Sequence, residues 1–202
     1  LVTSGPGATN TVTGLLTAQM DSIPLIVLTG QTITPNLGKD AFQEADIFGV
    51  TIPVVKHSYL VKEVNELPKV VKEAFHLATT GRPGPVLIDL PKDVVSAECT
   101  SSFPENIDLP GYEVPMKGNA DDIVRAADII MESRHPLLYV GAGAVGAGAA
   151  KEVLELAEKL QAPVTTTLLG KGAFPETHEL SVGMLGMDGS AYAIKAVVGC
   201  DM

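Results

Sequence analysis

Apolar and polar positions along this chain of 202 residues follow an alternating helix and strand rhythm. Residues 8–20 carry Val12, Leu15, Leu16, Ala18 and Met20 on one face and predict a helix. Residues 24–29 (PLIVLT) are a continuous apolar run ending at Gly30, as expected for a strand covered on both faces. Asn65 and Pro68 mark the start of a second helix, because proline's missing N–H has no partner in a first turn anyway. Its buried stripe is predicted as Val70, Val71, Ala74, Phe75 and Ala78. Gly81, Pro83 and Gly84 break that helix, and residues 85–90 (PVLIDL) predict another buried strand. Strands separated by helices imply parallel pairing through crossover helices.

The rhythm stops at residues 96–119, where Pro104, Pro110 and Pro115 stand among Ser and Gly without an apolar period. That composition predicts an interdomain linker. The alternation then restarts with a helix over 121–133 (Ile123, Ala127, Ile130 and Met131 inward), a strand over 136–140, a helix over 148–160 and a strand over 163–168. The expected organisation is an α/β unit at 1–95, a linker at 96–119 and a second α/β unit at 120–202. Leu1-Val2-Thr3 reads as the end of a strand, and residues 196–202 as a helix giving way to a new one. The chain is therefore expected to be an internal piece of a longer polypeptide.

Composition narrows the function classes. With 46% hydrophobic residues a chain of this length can bury a substantial core. No apolar run reaches the roughly 18 residues of a membrane span. The net charge of −10 argues against a nucleic-acid groove, which needs clustered Lys and Arg. Cys99 and Cys200 lack metal-type spacing and read as reduced thiols in a cytoplasmic protein. The four histidines are scattered, no nucleophile-elbow sequence accompanies Ser4, and no residue is assigned to a metal.

Residues 141–146 (GAGAVG) match G-x-G-x-x-G between a predicted strand and a predicted helix. Glycines there let a backbone approach a pyrophosphate at a helix N-terminus. The acidic residue that should hold ribose hydroxyls about 20 positions on is replaced by Thr165, Thr166 and Thr167. Three readings stay open: a nicotinamide site, close helix–sheet packing, or a phosphate-rich ligand held differently.

Three stretches carry a family resemblance: SGPGATN at 4–10, DAFQE at 40–44, and GRPGPV at 81–86 leading to Asp89, Leu90, Pro91, Lys92 and Asp93. Together with Gly30-Gln31 and Lys56-His57 they resemble thiamine-diphosphate enzymes, and the acetolactate synthase family in particular. TLLG at 167–170 and MLGMDG at 184–189 are similar to that family's flavin-binding central domain. The resemblance implies the C-terminal part of a pyrimidine-binding domain followed by the first part of a Rossmann-like central domain, with parallel sheets flanked by helices. It implies joining of two pyruvates, or of pyruvate and 2-oxobutyrate, with loss of carbon dioxide, in branched-chain amino-acid biosynthesis. Thiamine diphosphate, Mg²⁺ and FAD are the implied cofactors, FAD as a passenger that is not consumed.

By the same resemblance Pro6, Asn10 and Ser22 lie near the aminopyrimidine, while Gly5 and Gly7 serve turn geometry. Gln43 reaches the active site of a partner subunit and Phe42 walls the pocket. Arg82 meets a flavin phosphate, and Lys92 sits by the substrate channel, which the loop 32–37 borders. Gly141, Gly143, Thr167, Leu168, Leu185, Gly186, Met187 and Asp188 line the flavin. A homodimer or homotetramer is implied, with a possible small regulatory subunit and a plastid or mitochondrial location in a eukaryote. The family's activating Glu falls before Leu1, and its GDG…N metal–diphosphate motif does not occur here, so the chain alone is expected to be inactive. A pyruvate oxidase or glyoxylate carboligase type enzyme and a non-catalytic nucleotide-binding module remain the alternatives.

Overall fold

A computed structural model describes residues 1–202. It contains two compact units, Leu1–Met116 and Lys117–Met202. Each holds a three-stranded parallel sheet flanked by helices.

In the first unit the order is α1 (Pro6–Thr9), α2 (Val12–Met20), β1 (Leu25–Gln31), α3 (Ile47–Thr51), β2 (His57–Leu60), α4 (Leu67–Thr79), β3 (Pro85–Pro91) and α5 (Lys92–Ser96). The strands lie in the order β1-β3-β2, with Val27 opposite Leu87 and Tyr59 opposite Ile88. Successive side chains of a strand point to opposite faces, and β3 uses both. Val86 and Ile88 pack with Val61, Val70, Ala74 and Leu77, beneath α4. Leu87 packs the other way, with Ala8, Leu15, Ile47 and Val55. This is the doubly covered strand that the run PVLIDL predicts.

Three expectations need correction here. The helix predicted over 8–20 breaks at Asn10–Thr11 into α1 and α2. Strand β1 is buried only toward its end, at Thr29 and Gln31, because it has a single ladder neighbour besides an isolated bridge from Val2. Phe75 is exposed, since the buried positions of α4 are Pro68, Val70, Glu73, Ala74, Leu77 and Ala78, and residue 75 falls off that 3.6-residue stripe. Buried Glu73 accepts a hydrogen bond from the Tyr59 hydroxyl at 3.1 Å.

Residues 97–119 contain no helix or strand, yet much of the stretch is tied to the first unit. Asn65 Oδ1 accepts from the Thr100 and Ser101 amides, Lys72 Nζ donates to the Pro104 and Glu105 carbonyls, and the Tyr112 hydroxyl meets Thr80 Oγ1 at 2.9 Å. Leu109 and Tyr112 join the cluster beneath α4.

The second unit runs α6 (Ala120–Glu132), β4 (Leu138–Val140), α7 (Ala142–Gly146), α8 (Ala150–Leu160), β5 (Val164–Thr166), β6 (Ser181–Met184) and α9 (Ala191–Gly199). Its sheet order is β4-β5-β6, and its core is Val140, Ala157, Val164, Ala173 and Phe174. Helix α6 starts where predicted, because Asn119 accepts from the Asp121 and Asp122 amides and both acids complement the helix dipole. Its apolar face is not buried as expected: Ile123 and Met131 are 60% and 78% exposed. Capping needs only neighbours in sequence, whereas burial needs a facing layer, and this unit presses none onto α6. No helix is long and apolar enough to cross a membrane.

Candidate cofactor and substrate site

The SGPGATN and DAFQE segments of the first unit meet where parallel strands β1 and β3 end, the end of an α/β sheet at which ligands bind. The turn before α1 and the turn at 41–43 touch there. Gly5 has φ 57°, and a Cβ on it would stand 2.8 Å from the Gln43 carbonyl oxygen and 3.0 Å from its Cα. Only glycine fits that approach at that backbone angle. SGPGATN and DAFQE are thus one constellation, with Pro6, Asn10, Phe42 and Gln43 all exposed upon it. Phe42 is 89% exposed, an unusual state for a phenylalanine without a partner surface.

Glu44 builds the turn that presents Gln43. Its carboxylate accepts from the Ala41 amide at 2.8 Å and from the Gly38 amide. Those backbone bonds, the one from Ala41 foremost, hold its pKa below the ordinary value. Gln43 itself sits in the left-handed region at φ 54°. Such backbone is uncommon outside glycine and recurs where a side chain is held out for use.

Behind this turn lies a buried polar group that the sequence reading left unassigned. Asp89 is 1% exposed on β3 and accepts from Thr29 Oγ1 at 2.7 Å and from Gln31 Nε2 at 2.9 Å. Burial drives its pKa up to about 6, against the pull of those two donors. Gln31 Nε2 also donates to the Ala45 carbonyl at 2.7 Å, and Gln31 Oε1 accepts from the Thr32 amide at 2.9 Å. Both residues stand inside quoted motifs, GQ and the strand before PKD. A polar residue within a run predicted to be buried was the available signal.

Lys92 opens α5 and borders a cavity of about 370 Å³ together with Ser4, Thr29 and Gln31. The next residue, Asp93, accepts from the Thr34 amide at 3.0 Å and from Thr34 Oγ1 at 2.6 Å, which pins the loop 32–37 beside it. Ser22 and Arg82 lie apart from Asn10, at the far end of α2, a helix of nine residues spanning about 14 Å. Arg82 Nε donates to Ser22 Oγ at 2.8 Å, and Nη2 donates to the Gln19 and Met20 carbonyls. In this structure the guanidinium caps the end of α2.

The second unit gathers its motif residues on one sheet edge. Gly141 follows β4, Thr167 and Leu168 follow β5, and Leu185, Gly186, Met187 and Asp188 follow β6, so three adjacent parallel strands deliver them to the same end. The segments meet closely. A Cβ on Gly170 would lie 2.3 Å from the Val140 carbonyl oxygen and 3.0 Å from Gly141 Cα. Thr167 Oγ1 accepts from the Gly170 amide at 2.9 Å, and the Thr167 amide donates to the Val140 carbonyl. Gly143 is exposed, with nothing within 4 Å of a Cβ placed on it, so helix–sheet packing does not require a glycine there. The edge carries no Lys or Arg at the named positions, so an anion there would rely on backbone amides. Leu168 and Met187, 68% and 99% exposed, offer apolar surface suited to a flat ring. These properties fit a ligand joining an aromatic ring to phosphates. No three His, Cys, Asp or Glu side chains converge as metal ligands.

Both units have counterparts among known proteins. Residues 1–50 match the N-terminal TPP binding domain of thiamine pyrophosphate enzymes, and residues 123–202 match the central domain of the same enzymes. The chain is 57% identical to an acetolactate synthase of Arthrospira platensis, aligned over all of this chain and 36% of that protein. It is 53% identical to an acetolactate synthase large subunit of Parasynechococcus marenigrum, over 99% of this chain and 33% of the relative. It is 47% identical to the acetolactate synthase isozyme 3 large subunit of Escherichia coli K12, over all of this chain and 36% of the relative. The chain spans roughly a third of the length of these relatives. It belongs to the thiamine pyrophosphate enzyme family, as a homologue of the acetolactate synthase large subunits.

Proposed function

We propose that these residues serve in an acetolactate synthase, joining two pyruvates, or pyruvate and 2-oxobutyrate, into a 2-acetohydroxy acid with loss of carbon dioxide. The observation that carries this reading is similarity along the whole chain, at 47–57% identity, to proteins named for that activity. Thiamine diphosphate, when bound with Mg²⁺, supplies the electron sink for the decarboxylation. The chain's own part is placement. Pro6 and Asn10 lie toward the cofactor's aminopyrimidine, Gln43 donates a hydrogen bond to the bound keto acid, and Phe42 closes the pocket against water. Lys92 attracts the substrate carboxylate at the cavity it borders. The exposure of Phe42 and Gln43 supports their meeting another subunit, in a homodimer or homotetramer with room for a small regulatory subunit.

In the second unit Gly141, Gly143, Thr167, Leu168, Leu185, Gly186, Met187 and Asp188 hold FAD at the strand ends. Arg82 meets a phosphate of that cofactor by releasing the Gln19 and Met20 carbonyls at the end of α2. A cytoplasmic setting, or an organelle in a eukaryote, goes with branched-chain amino-acid synthesis. The 202 residues alone form no acetolactate, since the sequence carries no GDG motif and no cluster of metal ligands.

The test is acetolactate formation from pyruvate by the full-length protein containing this segment, with and without thiamine diphosphate and Mg²⁺. Turnover that requires both supports the proposal. Oxygen consumption without acetolactate, or cofactor-independent inertness of the folded protein, overturns it. Acetolactate made by the 202 residues alone would contradict the expected inactivity.

A further inference from the structure

The geometry points to Gln31 and Asp89 as positioning residues for the Gln43 turn, acting through the orientation of one buried amide. This inference rests on the reading of Gln43 as a substrate contact.

The argument is a matter of which way an amide can face. Gln31 is 7% exposed, and its side chain has three partners. Nε2 donates to Asp89 Oδ2 at 2.9 Å and to the Ala45 carbonyl at 2.7 Å, while Oε1 accepts from the Thr32 amide at 2.9 Å. Reversing the amide would set its oxygen against two acceptors and its NH₂ against a donor. Asp89 is thus an acceptor that helps keep Nε2 toward Ala45. Ala45 lies two residues after Gln43, and its carbonyl also accepts from the Ile47 amide at 2.8 Å. The turn is thereby held at three points: Gly5 against Gln43, Glu44 on the Ala41 and Gly38 amides, and Gln31 on Ala45. The first is a backbone-to-backbone approach of buried Gly5 to a residue far along the chain, and the second is local to the loop. The third alone ties the turn to the buried centre of the sheet, because Asp89 sits on β3. Burying a carboxyl there is costly unless its bonds are made, and the bond it makes to Gln31 is the one that reaches the turn.

The test uses the full-length protein and four single variants. Asp89→Leu removes the acceptor and keeps the branched outline, though with bulkier methyl groups, whereas Asp89→Asn keeps an acceptor, since Thr29 can turn its hydroxyl to accept from the new NH₂. Gln31→Met removes the donor and gives a second route should Asp89→Leu fail to fold. Gln43→Ala reports the contact itself. Misplacing a reacting group by about 1 Å can cost up to about a hundredfold. Asp89→Leu and Gln31→Met are therefore expected to lower kcat/KM by about tenfold or more, and Asp89→Asn to stay within about twofold. In a Gln43→Ala background the first two should lose less than about twofold, because nothing remains to be positioned. Amide hydrogen exchange over residues 38–45 should quicken in both and hold in Asp89→Asn.

Equal losses in both backgrounds would overturn the positioning role, and so would Asp89→Asn falling as far as Asp89→Leu. If Gln43→Ala itself leaves kcat/KM unchanged, the substrate-contact reading fails. The exchange measurement then decides the placement alone, and unchanged exchange at 38–45 in Asp89→Leu overturns it.

Discussion

The two α/β units use the same recipe and finish it differently. In the Leu1–Met116 unit, β3 is covered on both faces and carries a buried carboxyl whose hydrogen bonds reach, through Gln31, the turn that presents Gln43. In the Lys117–Met202 unit the core is smaller, α6 buries none of its residues, and the strand ends are shaped by glycine close to backbone. One unit holds its site in place with a polar network anchored in its core. The other holds its site with backbone shape at an open edge. Side-chain networks transmit substitutions made in the core, whereas backbone crossings respond to added atoms at a single glycine. Unfolding of the 202-residue chain tests this contrast.

The largest effect is expected from Leu87→Ala, which empties a fully buried site on the central strand and should cost about 2–5 kcal/mol in denaturant unfolding of the first unit. An effect below about 1 kcal/mol would mean that the double cover of β3 is not what stabilises this unit.

Next comes the pH dependence set by Asp89. Its folded pKa, about 6, lies above the ordinary 3.8, so the folded state holds this proton more tightly than the unfolded chain. The stabilisation is full below about pH 4 and is lost as pH rises through about 6, on the order of 3 kcal/mol. Glu44 and Asp93, whose pKa values are lowered by hydrogen bonds, act in the opposite direction and lose stability on acidification. The group is therefore isolated by difference: Asp89→Asn should gain on the parent protein between pH 4 and pH 7. A difference that stays flat across that range would contradict the buried carboxyl.

Gly170→Ala should destabilise the second unit by about 1–3 kcal/mol, because the added methyl meets the Val140 carbonyl and Gly141 backbone, neither of which can rotate away. Gly143→Ala, with open space around it, should leave stability nearly unchanged. Equal losses in the two would remove the distinction between a close crossing and an open edge. The smallest effect is expected for Ile123→Ser on exposed α6, within about 0.5 kcal/mol by the same unfolding measurement.

Much of this arrangement was legible beforehand because it depends on neighbours in the chain. The run PVLIDL marks a strand covered on both faces, and Pro68 lies in the first turn of α4. Strand β6 escaped notice because its four residues include Gly183 and lack a clear period. The motif residues were legible as types. Their grouping was not, since nothing in the residues 5 and 43 themselves says that one backbone rests on the other. Phe75 and Met131 read as inward from the spacing of apolar residues, but inwardness depends on the rotation of a helix against its neighbours.

By itself the sequence determined the alternation of strands and helices, the parallel pairing that crossover helices impose, and the family to which the motifs point. Those features follow from periods of two and 3.6 residues and from the short list of residues that can cap, turn or break a chain. Only the tertiary structure decided which apolar faces are covered, that Arg82 ends on the carbonyls of α2, and that Asp89 reaches the Gln43 turn through Gln31. Burial and hydrogen-bond orientation belong to pairs of residues far apart in the chain, and such pairs acquire a geometry only when the sheet has formed.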